Sequence, residues 1–159
     1  MSRHEVERED LMTEATALAE RVEFQVAGEL FPWVLGFHRD GRLSLYFGSD
    51  PVYHFDSEGR LRRAFVDGNL YRSRGDTLSR LTRERTEKRT SLLRHDLEPA
   101  ALSAFLSVMG ERLQRLERAF DQGSVVVLRQ VPAEADVISR VRQALPGLSR
   151  EDLSPALKK

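Results

Sequence analysis

The chain has 159 residues, about two-fifths of them hydrophobic, with 25 basic and 25 acidic side chains and a formal net charge of zero. That length suits one compact domain over 1–159, and the charge balance argues against a dedicated nucleic-acid binder, which usually carries a basic excess. The absence of cysteine excludes disulfides, thiolate nucleophiles and cysteine-ligated zinc or iron–sulfur sites. No run approaches the roughly 20 apolar residues of a membrane span, and MSRHEVERED lacks the apolar stretch of a secretory signal. A cytoplasmic protein without membrane attachment is therefore expected.

A helix is predicted at the start, within 1–22. Ser2 stands three residues before Glu5, the spacing of a reciprocal cap, and Leu11, Ala15, Leu18 and Val22 share one face at four, three and four residues. Its other side is strongly acidic. VEFQV then alternates as a first strand before Gly28 and Pro32 interrupt the chain.

From Trp33 the period is two, and a β-meander of about five or six strands is predicted over 33–97. A three-residue loop at Arg39, Asp40 and Gly41 brings Trp33, Leu35 and Phe37 opposite Phe47, Leu45 and Leu43 on one face. A two-residue loop would scatter the same side chains over both. The rule applied to Ser57, Glu58 and Gly59 pairs Phe55 with Leu61, and Tyr53, Phe55, Leu61 and Phe65 continue the apolar face. At VDGNLY a loop of Asp67 to Asn69, pairing Phe65 with Tyr71, is favoured over a two-residue loop, because it gathers Arg62, Arg72 and Arg74 on the other face. LSRLTRER and SLLRHDL make two further strands around a polar loop near Thr86 to Thr90.

After Pro99 the helical period returns over 98–122. Leu102, Leu106, Met109, Leu113, Leu116 and Phe120 form a seam that Gly123 closes. Packing on the sheet is the plain use of this seam; a helix-to-helix homodimer is the sharper one, because a two-position stripe is narrow. SVVVLRQV is predicted as a strand covered on both sides, and a last helix follows within 124–147, before a tail over 148–159. The fold class is α+β: an antiparallel meander packed against a long helix in the C-terminal half and against the N-terminal helix.

The chemistry-bearing residues are few. His38 and His54 fall on strands one apart, roughly 9 to 10 Å across a sheet, too far to share a metal ion whose ligands stand about 2.1 Å from it. His95-Asp96 is expected at the entry of the long helix, as part of its cap. There is no Gly-x-Ser-x-Gly turn and no glycine-rich phosphate loop, so no cofactor is expected. The charges are unevenly spread: residues 60–95 hold eleven Arg and Lys against four acids, while residues 1–30 hold eight acids against three arginines. Arg62, Arg72 and Arg74, with Arg83 and Arg85, are the candidate anion-binding set, since guanidinium forks suit phosphate oxygens. Internal neutralisation by the acidic N-terminal helix or by Glu84 and Glu87 is the plain alternative.

The GRL turns resemble, locally, the tyrosine-aspartate repeats of bacterial secreted shell proteins, but only two units match. LSLYFGSDPVYHFDSEGRLRRAFVDGNLYRS, about a fifth of the chain, resembles small uncharacterised bacterial proteins of the planctomycete type. That resemblance implies no activity and no site residues. The residues themselves point to an interaction or regulatory module, with an anionic partner such as an RNA or DNA backbone, an unidentified protein or a second copy of the chain as its ligand. The alternative is an enzyme using a histidine and a carboxylate in a sheet pocket.

Overall fold

A computed structural model describes residues 20–48 and 50–149. The helix expected before residue 20 and the tail from residue 150 lie outside the described residues. Residues 20–22, assigned to that helix above, are strand. The strands are β1 (Glu20–Val26), β2 (Trp33–Phe37), β3 (Leu43–Phe47), β4 (Val52–Phe55), β5 (Leu61–Val66), β6 (Asn69–Arg74), β7 (Thr77–Arg85), β8 (Thr90–Asp96) and β9 (Val125–Val131). Helix α1 (Pro99–Asp121) joins β8 to β9, and α2 (Val137–Leu148) follows β9. All nine strands form one antiparallel sheet in the order β8-β7-β6-β5-β4-β3-β2-β1-β9. The class is the expected α+β, but the sheet is larger than five or six strands, because the meander over 33–97 itself holds seven, β2 to β8, and β1 and β9 extend it.

The first hairpin has the expected register, with Trp33, Leu35 and Phe37 opposite Phe47, Leu45 and Leu43. Gly41 takes a φ of 90°, open to glycine at little cost, and the His38 amide donates to the Arg42 carbonyl across the three-residue loop. The third hairpin departs from expectation. Asp67 and Gly68 both take positive φ, 52° and 77°, which makes a two-residue turn of the kind that follows strand twist, and Phe65 pairs with Leu70, not Tyr71. A bulge reinforces the change. His54 pairs with Arg63 and Phe55 with Leu61, so Arg62 is the extra residue. One added residue inverts the side chains that follow, putting Phe65 on the opposite face from Phe55 and leaving Ala64 and Val66 on the side of Phe55.

The core lies between the sheet and the two helices. Leu106, Met109, Leu113, Leu116 and Phe120 of α1 are buried against Phe24, Leu35, Leu45 and Tyr53, with Leu102 at the margin, and Val137, Val141 and Leu145 of α2 complete the layer. The seam is therefore a core seam, turned inward, and is not presented to a second helix. Phe24 and Phe120 meet edge to face at 5.1 Å, and Arg112 donates a 2.8 Å hydrogen bond to the Tyr53 hydroxyl, tying helix to sheet. Glu98 is the N-cap residue of α1 and makes no side-chain cap bond. Asp96 is not its cap either; its carboxylate accepts from Ser79 on β7.

The strand SVVVLRQV is not covered on both sides. Among the described residues it forms the edge strand β9, paired with β1 alone, and Val126, Val127 and Leu128 are exposed. A continuous apolar run fits an exposed edge as well as a buried strand, because the run records β propensity and not depth.

Two outcomes follow. Leu113→Ala, which empties a site at 0% exposure, should cost about 2 to 5 kcal/mol in urea unfolding, whereas Val126→Thr should stay within about 0.5 kcal/mol. Burial pushes the Tyr53 phenol above its ordinary value of 10, with Arg112 opposing but not cancelling the shift. Its neutral form favours the fold, so this contribution is complete below about pH 10 and fades as the pH rises through the folded value. Tyr53→Phe should lose less stability above pH 10 than the unsubstituted chain, as read by denaturation at stepped pH.

Candidate anion-binding pocket and polar row

The face of the sheet turned away from α1 and α2 carries two rows of side chains running across the strands. Cross-strand pairing sets them: Ser44 faces His54, His54 faces Arg63, Arg63 faces Arg72, Arg72 faces Ser79 and Ser79 faces Asp96. Two residues along each strand runs an apolar row of Val34, Tyr46, Val52, Phe65, Leu70 and Leu81. A polar, cationic row thus lies beside an apolar one on the same face.

At the head of the polar row three side chains join. His38 Nε2 stands 2.8 Å from Ser44 Oγ, and Ser44 Oγ stands 2.7 Å from His54 Nδ1. Ser44 is at 0% exposure and His54 at 6%, while His38 is half-buried nearer the opening. The serine hydroxyl holds one proton, so it donates to one imidazole and accepts from the other. The tautomers of the two histidines are therefore linked through it. One ring stands just past the end of β2 and the other on β4, with the serine of β3 between them.

These three line a cavity of about 120 Å³ together with Arg42, Asp56, Arg62 and Arg63. Each arginine reaches it by a local route. Arg42 follows Gly41 in the first turn and gives its Nε to Asp40, which that bond holds below the usual carboxylate range. Arg62 is the bulge residue and gives its Nε to Asp56 at 3.0 Å. Asp56 also accepts from the backbone amides of Glu58 and Arg60, so the aspartate that orients Arg62 is fixed by the second turn. In both pairs the carboxylate takes the Nε hydrogen, and the terminal N–H groups of Arg42 and Arg62 make no hydrogen bond among the described residues. Those groups are the forked donors that recognise oxyanions.

The arginines predicted to act together are divided. Arg62 lies in the pocket, not beside Arg72 and Arg74, since it is the bulge residue of β5 and the two-residue turn at Asp67 and Gly68 puts Arg63 on their face, opposite Arg72. Arg72 and Arg74 are exposed on the row's side of β6 and have no ion-pair partner among the described residues. Arg83 and Arg85 lie farther along β7, on the other side of the apolar row, opposite Leu92 and Thr90. Glu84 and Glu87 are exposed and form no ion pair with a described residue. His95 is exposed on β8, opposite Arg80 on the helix-facing side, away from the other two histidines.

Sequence reasoning missed Arg42, Ser44, Asp56 and Arg63 as members of one site. The signal for Ser44 was present: the register that pairs Phe37 with Leu43 also places this serine between the strands of His38 and His54. The bulge that brings in Arg63 had no such signal.

Ser44→Ala removes the shared hydroxyl and leaves two ring nitrogens facing a methyl group in a buried setting. It should cost about 1 to 3 kcal/mol by denaturation and uncouple the ring-proton shifts of His38 and His54 in NMR titration. Comparison with protein-family models, curated protein sequences and solved structures returned no match for this chain.

Proposed function

We propose that the protein is a binding module that takes an anionic partner on the sheet face away from the helices. The observation that carries this reading is the concentration of guanidinium groups around one row: Arg63 directly opposite Arg72, Arg74 two residues on, and Arg42 and Arg62 in the pocket at its head. Arg72 and Arg74 are exposed without an ion-pair partner among the described residues, and clustered like charges on one face repel, so the row gains when an anion lies over it. The cavity has room for about four waters at roughly 30 Å³ each, which suits a single phosphate or carboxylate head, and the exposed arginines beyond it suit a longer anionic backbone.

A second reading is favoured by one feature, the chain of His38, Ser44 and His54 beside Asp56. His38, nearer the opening, would take a proton from a bound group while Ser44 and His54 hold its tautomer. Ser44 itself is too deeply buried, with both rings on its hydroxyl, to act as a nucleophile. Turnover of small phosphate or carboxylate esters that disappears in His38→Gln would favour this enzyme; bound anion without turnover leaves the binding module alone.

Binding of a fluorescent single-stranded oligonucleotide is expected at low salt and should weaken steeply as salt rises. Arg72→Ala combined with Arg74→Ala should flatten the log–log salt slope by about 0.7 per lost phosphate contact. Absence of binding by polarisation at low salt would end the reading.

A further inference from the structure

The pocket beside Ser44 is framed by two hairpin turns that touch. A Cβ placed on Gly41 of the first turn would stand 3.3 Å from Ser57 Cβ of the second, so the missing side chain lets the turns close on each other. Beside each turn stands one carboxylate with one guanidinium: Asp40 with Arg42, and Asp56 with Arg62. Both carboxylates take the Nε hydrogen, so both guanidiniums keep the fork made by Nη1 and Nη2, and both side chains line the same cavity of about 120 Å³. Ser44 and His54 form its deeply buried side.

Two forks make a demand on the ligand. Each fork takes two oxygens side by side, so two forks that hold one group and share an oxygen need three oxygens free of substituents. A carboxylate has two, and so has a phosphodiester inside a nucleic-acid strand. A phosphate monoester has three, and carries roughly 1.5 to 2 negative charges at neutral pH where the diester carries one. Shape acts in the same direction. Room for about four waters admits such a group with its single ester link leaving through the mouth, whereas a diester has to bring two links out.

We infer that the pocket takes the terminal phosphate of a nucleic-acid strand, and that Arg72 and Arg74 hold the backbone leading away from it. The inference rests on the proposed function and names the part of the anionic partner that the pocket recognises. A strand is favoured over a single phosphorylated side chain because the cations continue beyond the cavity. Arg63 lines the pocket, Arg72 stands opposite it one strand spacing away, about 4.8 Å, and Arg74 follows on the same face. Asp40 and Asp56 reduce the net charge around the cavity while they aim the forks, so discrimination comes from the count of free oxygens more than from charge.

Four oligonucleotides compared by polarisation at one moderate salt concentration test this: hydroxyl-ended, 5′-phosphorylated, 3′-phosphorylated, and a hydroxyl-ended strand two nucleotides longer that matches the charge of a terminal phosphate. A strand phosphorylated at the 5′ or the 3′ end should bind about tenfold more tightly than both hydroxyl-ended ones, and the preferred end fixes the direction of the strand on the sheet. A longer hydroxyl-ended strand that binds as tightly as the phosphorylated ones would overturn the inference and leave the proposed function standing. Binding of none would remove the proposed function and the inference with it. Arg62→Lys keeps the charge and removes the fork, so it should bring the preference below about twofold while hydroxyl-ended binding changes little; a preference that survives it would overturn the assignment. Arg42→Lys, at an exposed position, makes the same test if Arg62→Lys fails to fold. A phosphoserine peptide that binds as tightly as the phosphorylated strand would overturn the choice of a strand end.

Discussion

Strand alternation is the constraint on which the rest of this molecule depends. A side chain in a sheet points to one face or the other, and a shift of one residue exchanges every member of the set. Here the exchange happens within the meander. Up to Phe55 and Leu61 the helix-facing side takes Trp33, Leu35, Phe37, Leu45, Tyr53 and Phe55 while Val34, Tyr46 and Val52 face away, and the bulge at Arg62 then sends Phe65 to that far side, where it meets Val52 and Leu70. Without that extra residue, the far face would lack the middle of its apolar row, and Arg63 would not stand between His54 and Arg72.

The two faces consequently have different characters. One is an ordinary core, filled by Phe24, Leu35, Leu45 and Leu113 and closed by two amphipathic helices. Its polar groups are few: Arg112 donates to the Tyr53 hydroxyl, and the buried Ser73 hydroxyl has no hydrogen-bond partner among the described residues. The other combines a buried apolar row with buried hydroxyls and an imidazole. Burial of Ser44, His54 and Ser79 is tolerated because each has a partner in register: a histidine on either side of Ser44, and Asp96 for Ser79. Arg72 and Arg74, exposed and without an ion-pair partner among the described residues, are the part of that pattern that the proposed ligand would answer.

Much of the fold was legible because its turns carry recognisable chemistry. Gly41 and Gly59 mark hairpins whose apolar neighbours agree with only one register, and the seam from Leu102 to Phe120 repeats often enough to define a helix and its buried side. Less of the site was legible. The five arginines chosen from the sequence share charge but not place: Arg62 enters the pocket, Arg72 and Arg74 keep to the row, and Arg83 and Arg85 lie past the apolar strip. Charge composition reports how many cations a segment holds, whereas a site depends on which of them share a face.

What the sequence determined by itself was the alternation of strands and helices, the α+β class and the inward side of the long helix, since periodicity and turn residues act over a few positions. Only the tertiary structure decided that VVVLRQV is an exposed edge, that Asp67 and Gly68 close the tighter turn, and that Arg63, not Arg62, shares a face with Arg72 and Arg74. Those outcomes turn on which strand becomes the neighbour of which, and on how a single inserted residue is absorbed. Hydrogen bonding between strands settles both: the Asp-Gly pair admits the two-residue turn, but the local pattern leaves the choice open.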